Sequence, residues 1–318
     1  MHVRTFDQTG FHDIEKPNWN TLITLTDAVL WVDMTGHDPE EVRILLEVFK
    51  FHPLAIEDST NKYQRPKIES YPDHAFAIMN TVRLTDGDIV FSELDVFVTK
   101  NAVVTIHGDN EPLIEEVARR CQLRSSYGLS ITVGYLVYVL MDTSVDAYFP
   151  ILDEIGEEID TFSEEILAHP KQSQLERIFH LKRDINELWR IAGYQRDMFS
   201  VLGREEQHFI QDDSLRYFLR DVYDHMLRVN DTVNALRDTL SNVLDLYVTS
   251  QSNRLNIVVW RLTIVTTIIG SMTVIGGFYG MNFERTFPPF DSPWGVPFTL
   301  VLMVVTGVVL FRILNRRA

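Results

Sequence analysis

The chain carries a single cysteine, Cys121, in 318 residues. One thiol closes no internal disulfide, which excludes a disulfide-stapled secreted fold and a zinc site built from cysteine alone. An apolar leader is also missing, because residues 1–20 have charged and polar residues throughout and no apolar run. The expectation is therefore no secretory signal peptide and an N-terminal bulk that stays in the cytoplasm. Basic residues are scarce over most of the length: residues 1–250 hold 43 acidic and 23 basic side chains. That balance argues against nucleic acid as a partner, since phosphate binding needs clustered Lys and Arg, and it suits a cationic ligand. No glycine-rich phosphate loop, G-x-S-x-G elbow or H-E-x-x-H pair occurs, and the histidines are scattered with no nucleophile-base grouping, so no enzyme is expected.

Charge itself disappears near the C-terminus. Residues 262–279 and 294–311 contain no Asp, Glu, Lys or Arg, and each run is long enough as a helix, at roughly 1.5 Å per residue, to cross most of a ~30 Å hydrocarbon core. Neither run shows the polar face that a soluble helix of that length keeps, which sets two membrane spans above a pair of buried core helices. Arg254 and Arg261 precede the first span, and Arg312, Arg316 and Arg317 close or follow the second. The positive-inside tendency then puts both chain ends in the cytoplasm and the short loop outside.

What precedes the spans divides in two. Residues 28–34, 74–84, 93–100 and 102–108 read as strands, with turns at Thr85-Asp86-Gly87-Asp88 and Lys100-Asn101. Residues 38–49 read as a helix started by Asp38 with Pro39 in its first turn. This part is an α/β domain with a mixed or antiparallel sheet. From about Glu111 onward the apolar spacing turns helical, over 135–168, 171–206 and 214–279. In the last stretch Leu215, Leu219, Val222, Met226, Val229, Val233, Leu236, Leu240 and Val243 mark one face, and neither Pro nor Gly occurs before Gly270. A single rod on the order of 100 Å is the expectation, with two helices broken near Gln251-Ser252-Asn253 as the alternative. Asn256, Thr263, Thr266, Gly270, Thr273 and Gly277 place small and polar groups on one face of the first span. Such a stripe serves either close helix packing, for which Gly276 and Gly280 also form a small-xxx-small pair, or the lining of a conduit shared by several subunits.

Directly after the first span comes Tyr279-Gly280-Met281-Asn282-Phe283-Glu284. Here the sequence resembles the CorA family of divalent cation channels, whose hallmark is Gly-Met-Asn at the outer end of the first of two C-terminal membrane helices. The resemblance extends to His52-Pro53-Leu54 with Glu57-Asp58, Gln64-Arg65-Pro66-Lys67, Thr99-Lys100-Asn101, residues 220–225, and Ser252-Asn253 with Asn256. It implies an α+β cytoplasmic domain followed by long stalk helices and two C-terminal transmembrane helices, assembled as a funnel-shaped homopentamer in the inner membrane. The divisions are 1–130, the α/β domain; 131–255, the helical stalk; 256–279, the pore-lining span; 280–293, the outer loop; 294–312, the second span; and 313–318, a basic tail.

The resemblance also decides the stripe in favour of a pore. It implies transport of divalent cations, Mg²⁺ foremost with Co²⁺ and Ni²⁺ behind it, with Asn282 at the entrance beside Gly280 and Met281. Mg²⁺ gives up water reluctantly, so a ring of Asn282 carbonyls that accepts hydrogen bonds from its first-shell waters suits the ion. Thr273 and Asn256 match pore positions further in, and Val259 and Leu262 match an apolar constriction able to block by dewetting. Outside, Glu284 and Asp291 raise the local cation concentration, with Arg285 offsetting Glu284. Residues 286–291, Thr-Phe-Pro-Pro-Phe-Asp, stand where many members carry an acidic Met-Pro-Glu-type stretch.

Regulation by internal Mg²⁺ is implied as well, through aspartates at subunit interfaces. Asp245 matches one ligand, Asp221 a further acidic site, and the α/β-domain partner falls at the hairpin on Asp88. Nine carboxylates between Asp142 and Glu165, with no Lys or Arg among them, are ordinarily a solvated helix face, and in a pentamer they repel. A bound divalent ion offsets that repulsion and favours the closed state. Two rivals remain: a ZntB-like proton-coupled Zn²⁺ transporter, against which the stripe offers oxygens and no His or Cys, and a membrane-anchored helical sensor or scaffold without a conduit.

Overall fold

The computed structural model describes all residues except 8, 37, 62–63, 109–110, 203–212, 282–286, 290–292 and 317–318. Chain contacts divide it into two compact units: residues 1–162 with 175–242, and residues 163–174 with 243–318.

The first unit is built on a seven-stranded mixed sheet in the order β2-β1-β3-β7-β6-β5-β4. Its strands are β1 (His2–Asp7), β2 (Gly10–Asp13), β3 (Val29–Met34), β4 (Lys67–Ser70), β5 (Ala75–Thr85), β6 (Asp88–Val98) and β7 (Ala102–His107). Only β3 and β7 run parallel among the paired strands. The β5–β6 hairpin closes through Asp86 and Gly87, both at positive φ (54° and 85°), the conformation that makes Asp-Gly a two-residue hairpin turn. The four strands read from sequence are all present. The β1–β2 hairpin and β4 were not read, because the polar residues at these sheet edges dilute the apolar alternation that marks a strand.

Helices cover both faces. Short α1 (Trp19–Leu22) leads into β3, and α2 (Pro39–Arg43) starts where Asp38 accepts the Glu40 N–H. It continues as a π-helical turn, Ile44–Val48, before α3 (Pro53–Thr60). Leu30, Val32, Phe76, Ile78, Phe97 and Val104 from the sheet form one core with Leu45, Ala55 and Ile56 from these helices. Phe51 stacks on Phe97 with ring centroids 4.4 Å apart. The opposite face supplies Trp31, Met79, Leu94, Val96 and Val103, all buried, and meets α4 (Pro112–Ser126) and α5 (Val133–Asp146).

The helical stretch at 135–168 is two helices, α5 and α6 (Tyr148–Ala168), parted at Ala147. Then follow α7 (Gln172–Leu202) and α8 (Asp213–Tyr279), the latter 67 residues without a break, so no interruption occurs at 251–253. Of the nine apolar positions expected on α8, all but half-buried Leu236 are buried. The second unit holds the apolar half of α8 together with α9 (Gly295–Asn315). Both α8 and α9 are long and apolar enough to cross a membrane.

Candidate functional site

Two sets of residues matter. The first lies on the apolar half of α8. Ile264 is buried there, and it shares a face with Ile268, Met272 and Gly276. That face meets α9: a Cβ added at Gly276 would stand 3.2 Å from the Met303 methyl, and one at Gly307 would stand 3.1 Å from Met272 and 3.6 Å from Ile268. The small-residue packing anticipated in this region therefore falls on Gly276 and Gly307. At about 100° per residue, the stripe of Asn256, Thr263, Thr266, Gly270, Thr273 and Gly277 averages roughly 180° from the α9 contact. All six are exposed in the single chain, and a Cβ at Gly270 or Gly277 meets nothing within 4 Å.

The hydroxyls on the stripe have a defined direction of donation. Thr263, Thr266 and Thr273 each donate to the carbonyl four residues back, at 2.9 Å. With the proton spent on the helix, each oxygen keeps lone pairs for a donor arriving from outside, such as a cation's first-shell water. Val259 and Leu262 lie on the same side and are 59% and 61% exposed. The helix ends at Tyr279, the N–H of the next residue, Gly280, donates to the Gly276 carbonyl at 2.9 Å, and Met281 follows, exposed. Asn282, Glu284 and Asp291 lie outside the described residues.

The second set is in the first unit, where α4, α5 and α8 meet. Asp142 is 4% exposed and is held by Arg120, whose guanidinium donates to it at 2.6 Å and to Thr143 Oγ1 at 2.9 Å. Across from it on α8 are Asp221 and His225. One ligand atom from each of Asp142, Asp221 and His225 lies within 4.8 Å of the other two. His225 Nδ1 stands 3.8 Å from Asp142 and 3.9 Å from Asp146, and Nε2 stands 3.8 Å from Asp221. Those separations exceed hydrogen-bond length, and His225 Nδ1 is buried with no hydrogen-bond partner among the described residues. The carboxyl of Asp146 is held above its usual range by burial and by the neighbouring Asp142 charge.

Two carboxylates and an imidazole fit a divalent cation that keeps part of its water, the usual habit of Mg²⁺, while the imidazole also suits Co²⁺, Ni²⁺ or Zn²⁺. Arg120 is the fixed cation that already balances Asp142 there. Asp221 was expected from sequence. Asp142 stood unremarked within the acidic run, and His225 within the segment of family resemblance. Apart from Asp146, the other carboxylates of the run behave as a solvated face: six are exposed, and Glu158 pairs with Arg177 at 2.6 Å. Asp88, at the start of β6, is 3.9 Å from His180 and belongs to no such grouping among the described residues. Asp245 is an exposed residue of the second unit.

An α/β domain joined by an unbroken helix to a pair of membrane-length apolar helices, with a polar stripe turned away from their contact, has the build of a two-span membrane transport protein. Comparison with known proteins gives the family. The model of the CorA-like Mg²⁺ transporter protein matches residues 26–316. The cobalt/magnesium transport protein CorA of Thermotoga maritima is 35% identical over 315 residues, 98% of this chain and 89% of that protein. The zinc transport protein ZntB of Pectobacterium carotovorum is a more distant relative, 23% identical over 92% of this chain and 85% of its own. Among solved structures, the complete CorA magnesium transporter from Methanocaldococcus jannaschii superposes with a TM-score of 0.81 at 21% identity, covering 100% of this chain and 98% of that one. The chain belongs to the CorA-like Mg²⁺ transporter family.

Proposed function

We propose that five copies of this chain form a channel for divalent cations, Mg²⁺ first and Co²⁺ or Ni²⁺ after it. The observation that carries the reading is the stripe on α8. It lies opposite the face that packs on α9, so among the described residues of one chain nothing covers it. Polar groups along a membrane span need a partner or water, and a ring of equivalent stripes around an axis gives them water. Family membership and the cobalt/magnesium transport of the Thermotoga relative support the choice of cargo.

In this reading Asn282, with Gly280 and Met281, forms the outer entrance. Thr273 and Asn256 accept hydrogen bonds from the hydrated ion below it, and Val259 and Leu262 form the apolar gate. Glu284 and Asp291 draw cations to the mouth. Both chain ends lie in the cytoplasm, and the inner membrane is the site of action. Internal Mg²⁺ held by Asp221 together with Asp142 and His225, and at a subunit interface by Asp245 and Asp88, favours closure. No enzymatic step is involved.

The test is flux into proteoliposomes containing the full chain. Mg²⁺, Co²⁺ and Ni²⁺ are expected to enter down the membrane potential whether or not a pH gradient is present, and Asn282→Ala is expected to change their relative rates. Vesicles impermeable to all three ions, or a monomeric chain in lipid, would overturn the reading. Uptake of Zn²⁺ alone, and only with a proton gradient, would replace it with the zinc alternative.

A further inference from the structure

The α/β domain contains a cavity that cation passage does not use. It has a volume of about 660 Å³ and lies where the chain leaves the parallel strands β3 and β7, at Gly36 and Gly108, beside the C-terminal end of α3 and residues of α7. The region beyond the carboxyl ends of parallel strands is where open α/β sheets bind ligands, and the volume falls in the ~300–1,000 Å³ range of small-molecule sites. Gln64, Arg65 and Pro66, from one of the segments that carry the family resemblance, line it, with the Arg65 guanidinium 5.0 Å from the centre of the Tyr194 ring.

Asp95 is the lining residue that breaks the rules of its surroundings. It sits on the interior strand β6, opposite Ile78 on one side and Ile106 on the other, and is 3% exposed. Its Oδ1 is shut off from water and has no hydrogen-bond partner among the described residues. A buried carboxyl without a partner is costly, and natural cores keep such groups where a ligand completes them. Burial, then the charges of Glu93 and Asp58, raise its pKa well above the ordinary carboxylate value, and Lys67 opposes them only in part. Lys67 is committed elsewhere, to Asp58 at 2.6 Å and Glu69 at 2.7 Å. Arg65, Arg190 and His107 also line the cavity, but at Asp95 itself the charges of Glu93 and Asp58 outweigh that of Lys67, so what its Oδ1 lacks is a donor, and a positively charged one suits it best.

A bare or hydrated metal is the poorer occupant. At ~30 Å³ per water, an ion with six waters fills only about 200 Å³, and the one grouping of three metal-ligating side chains among the described residues is at Asp142, Asp221 and His225. Phe91, Ile191 and Tyr194 also give the cavity apolar and aromatic wall, which suits carbon.

We propose that this cavity binds a small organic amine, with its ammonium group on Asp95 beside Glu93 and its carbon chain against Phe91, Ile191 and Tyr194. The proposal is independent of the cation pathway, because its test reads binding alone. Full-length protein in detergent is titrated calorimetrically with 1,4-diaminobutane, with spermidine, and with 1,4-butanediol as the uncharged control. The amines bind and the diol does not. Asp95→Asn weakens amine binding at least tenfold and Glu93→Gln at least threefold, while Glu154→Gln, at an exposed acidic position away from the cavity, leaves it unchanged and excludes general attraction to an acidic protein. Absence of amine binding at millimolar concentration, or wild-type affinity in Asp95→Asn, overturns the proposal. Should Asp95→Asn not fold, wild-type affinity in both Glu93→Gln and Tyr194→Ala overturns it equally.

Discussion

Asp221→Asn separates a metal centre from an accidental gathering of side chains at the α4–α5–α8 junction. Asp221 is 54% exposed and its nearest ionic contact is His225 at 3.8 Å, so its neutralisation without metal should change stability by less than ~0.5 kcal/mol. With Mg²⁺ at a hundred times its dissociation constant, binding to the folded state alone adds about 2.7 kcal/mol. Loss of one ligating carboxylate weakens the ion by roughly ten- to a hundredfold, the range found when supporting groups of metal sites are removed. At the same Mg²⁺ concentration the increment then falls to between about 1.4 and 0.4 kcal/mol. The Mg²⁺-induced rise in unfolding temperature, measured by scanning fluorimetry in detergent, should therefore shrink to between about one half and one seventh of the wild-type value. Arg120→Met acts with the opposite sign. It strips Asp142 of its fixed cation and lowers stability without metal by about 3 kcal/mol, yet it enlarges the Mg²⁺ increment because the ion now replaces the guanidinium. An undiminished increment in Asp221→Asn, or a reduced one in Arg120→Met, would refute the assignment.

Two further expectations concern stability. His107 places Nε2 at 3.2 Å from Asp33 Oδ1 and Nδ1 against the Gly108 carbonyl, an arrangement in which both ring nitrogens donate only when the ring is charged. Burial opposes the charge, but the Asp33 hydrogen bond and charge outweigh it and hold the ring above its usual pKa of 6.5. This contribution is complete below pH ~6.5, the unfolded value, and is lost as pH rises through the higher folded value, by at most about 1.4 kcal/mol per pH unit. Unfolding temperature recorded against pH should show that decline, and His107→Gln should remove it. In the second unit, Gly307→Leu should lower the unfolding temperature by overpacking worth ~1–3 kcal/mol, whereas Gly307→Ala should cost little, because the atom in its way, the Met272 methyl at 3.1 Å, ends a flexible side chain.

The extent to which the sequence disclosed the fold varies with how local each determinant is. The four apolar strands, the Asp86-Gly87 turn, the Asp38 cap and the length of α8 all depend on residues close in sequence. Each was readable for that reason. The β1–β2 hairpin was not, since its buried residues Val3, Thr5 and Phe6 do not alternate regularly with Arg4, Asp7 and His12, and β1 also pairs with β3, which is not its neighbour in sequence. The division of residues 135–168 at Ala147 escaped for a different reason. The apolar spacing persists through Val145, Tyr148, Ile151 and Leu152, all buried, so periodicity alone carries no mark of the interruption at Ala147.

The same distinction governs the two sites. On α8 the whole stripe lies in one helix, so spacing placed it. What spacing left open was whether small residues packed or lined, and the Gly276–Met303 and Gly307–Met272 approaches assign packing to the other face. At the junction, by contrast, Asp221 and His225 are one turn apart on α8, and only the tertiary fold brings Asp142 of α5 to them. The acidic run looked uniform because charge was its only visible property, whereas burial distinguishes Asp142 from its solvated neighbours. Asp95 makes the point most sharply. In sequence it is one acid in a strand, between Leu94 and Val96, and nothing marks it. In the fold its buried Oδ1 has no partner among the described residues and stands beside an open cavity, a combination that neither composition nor periodicity can express.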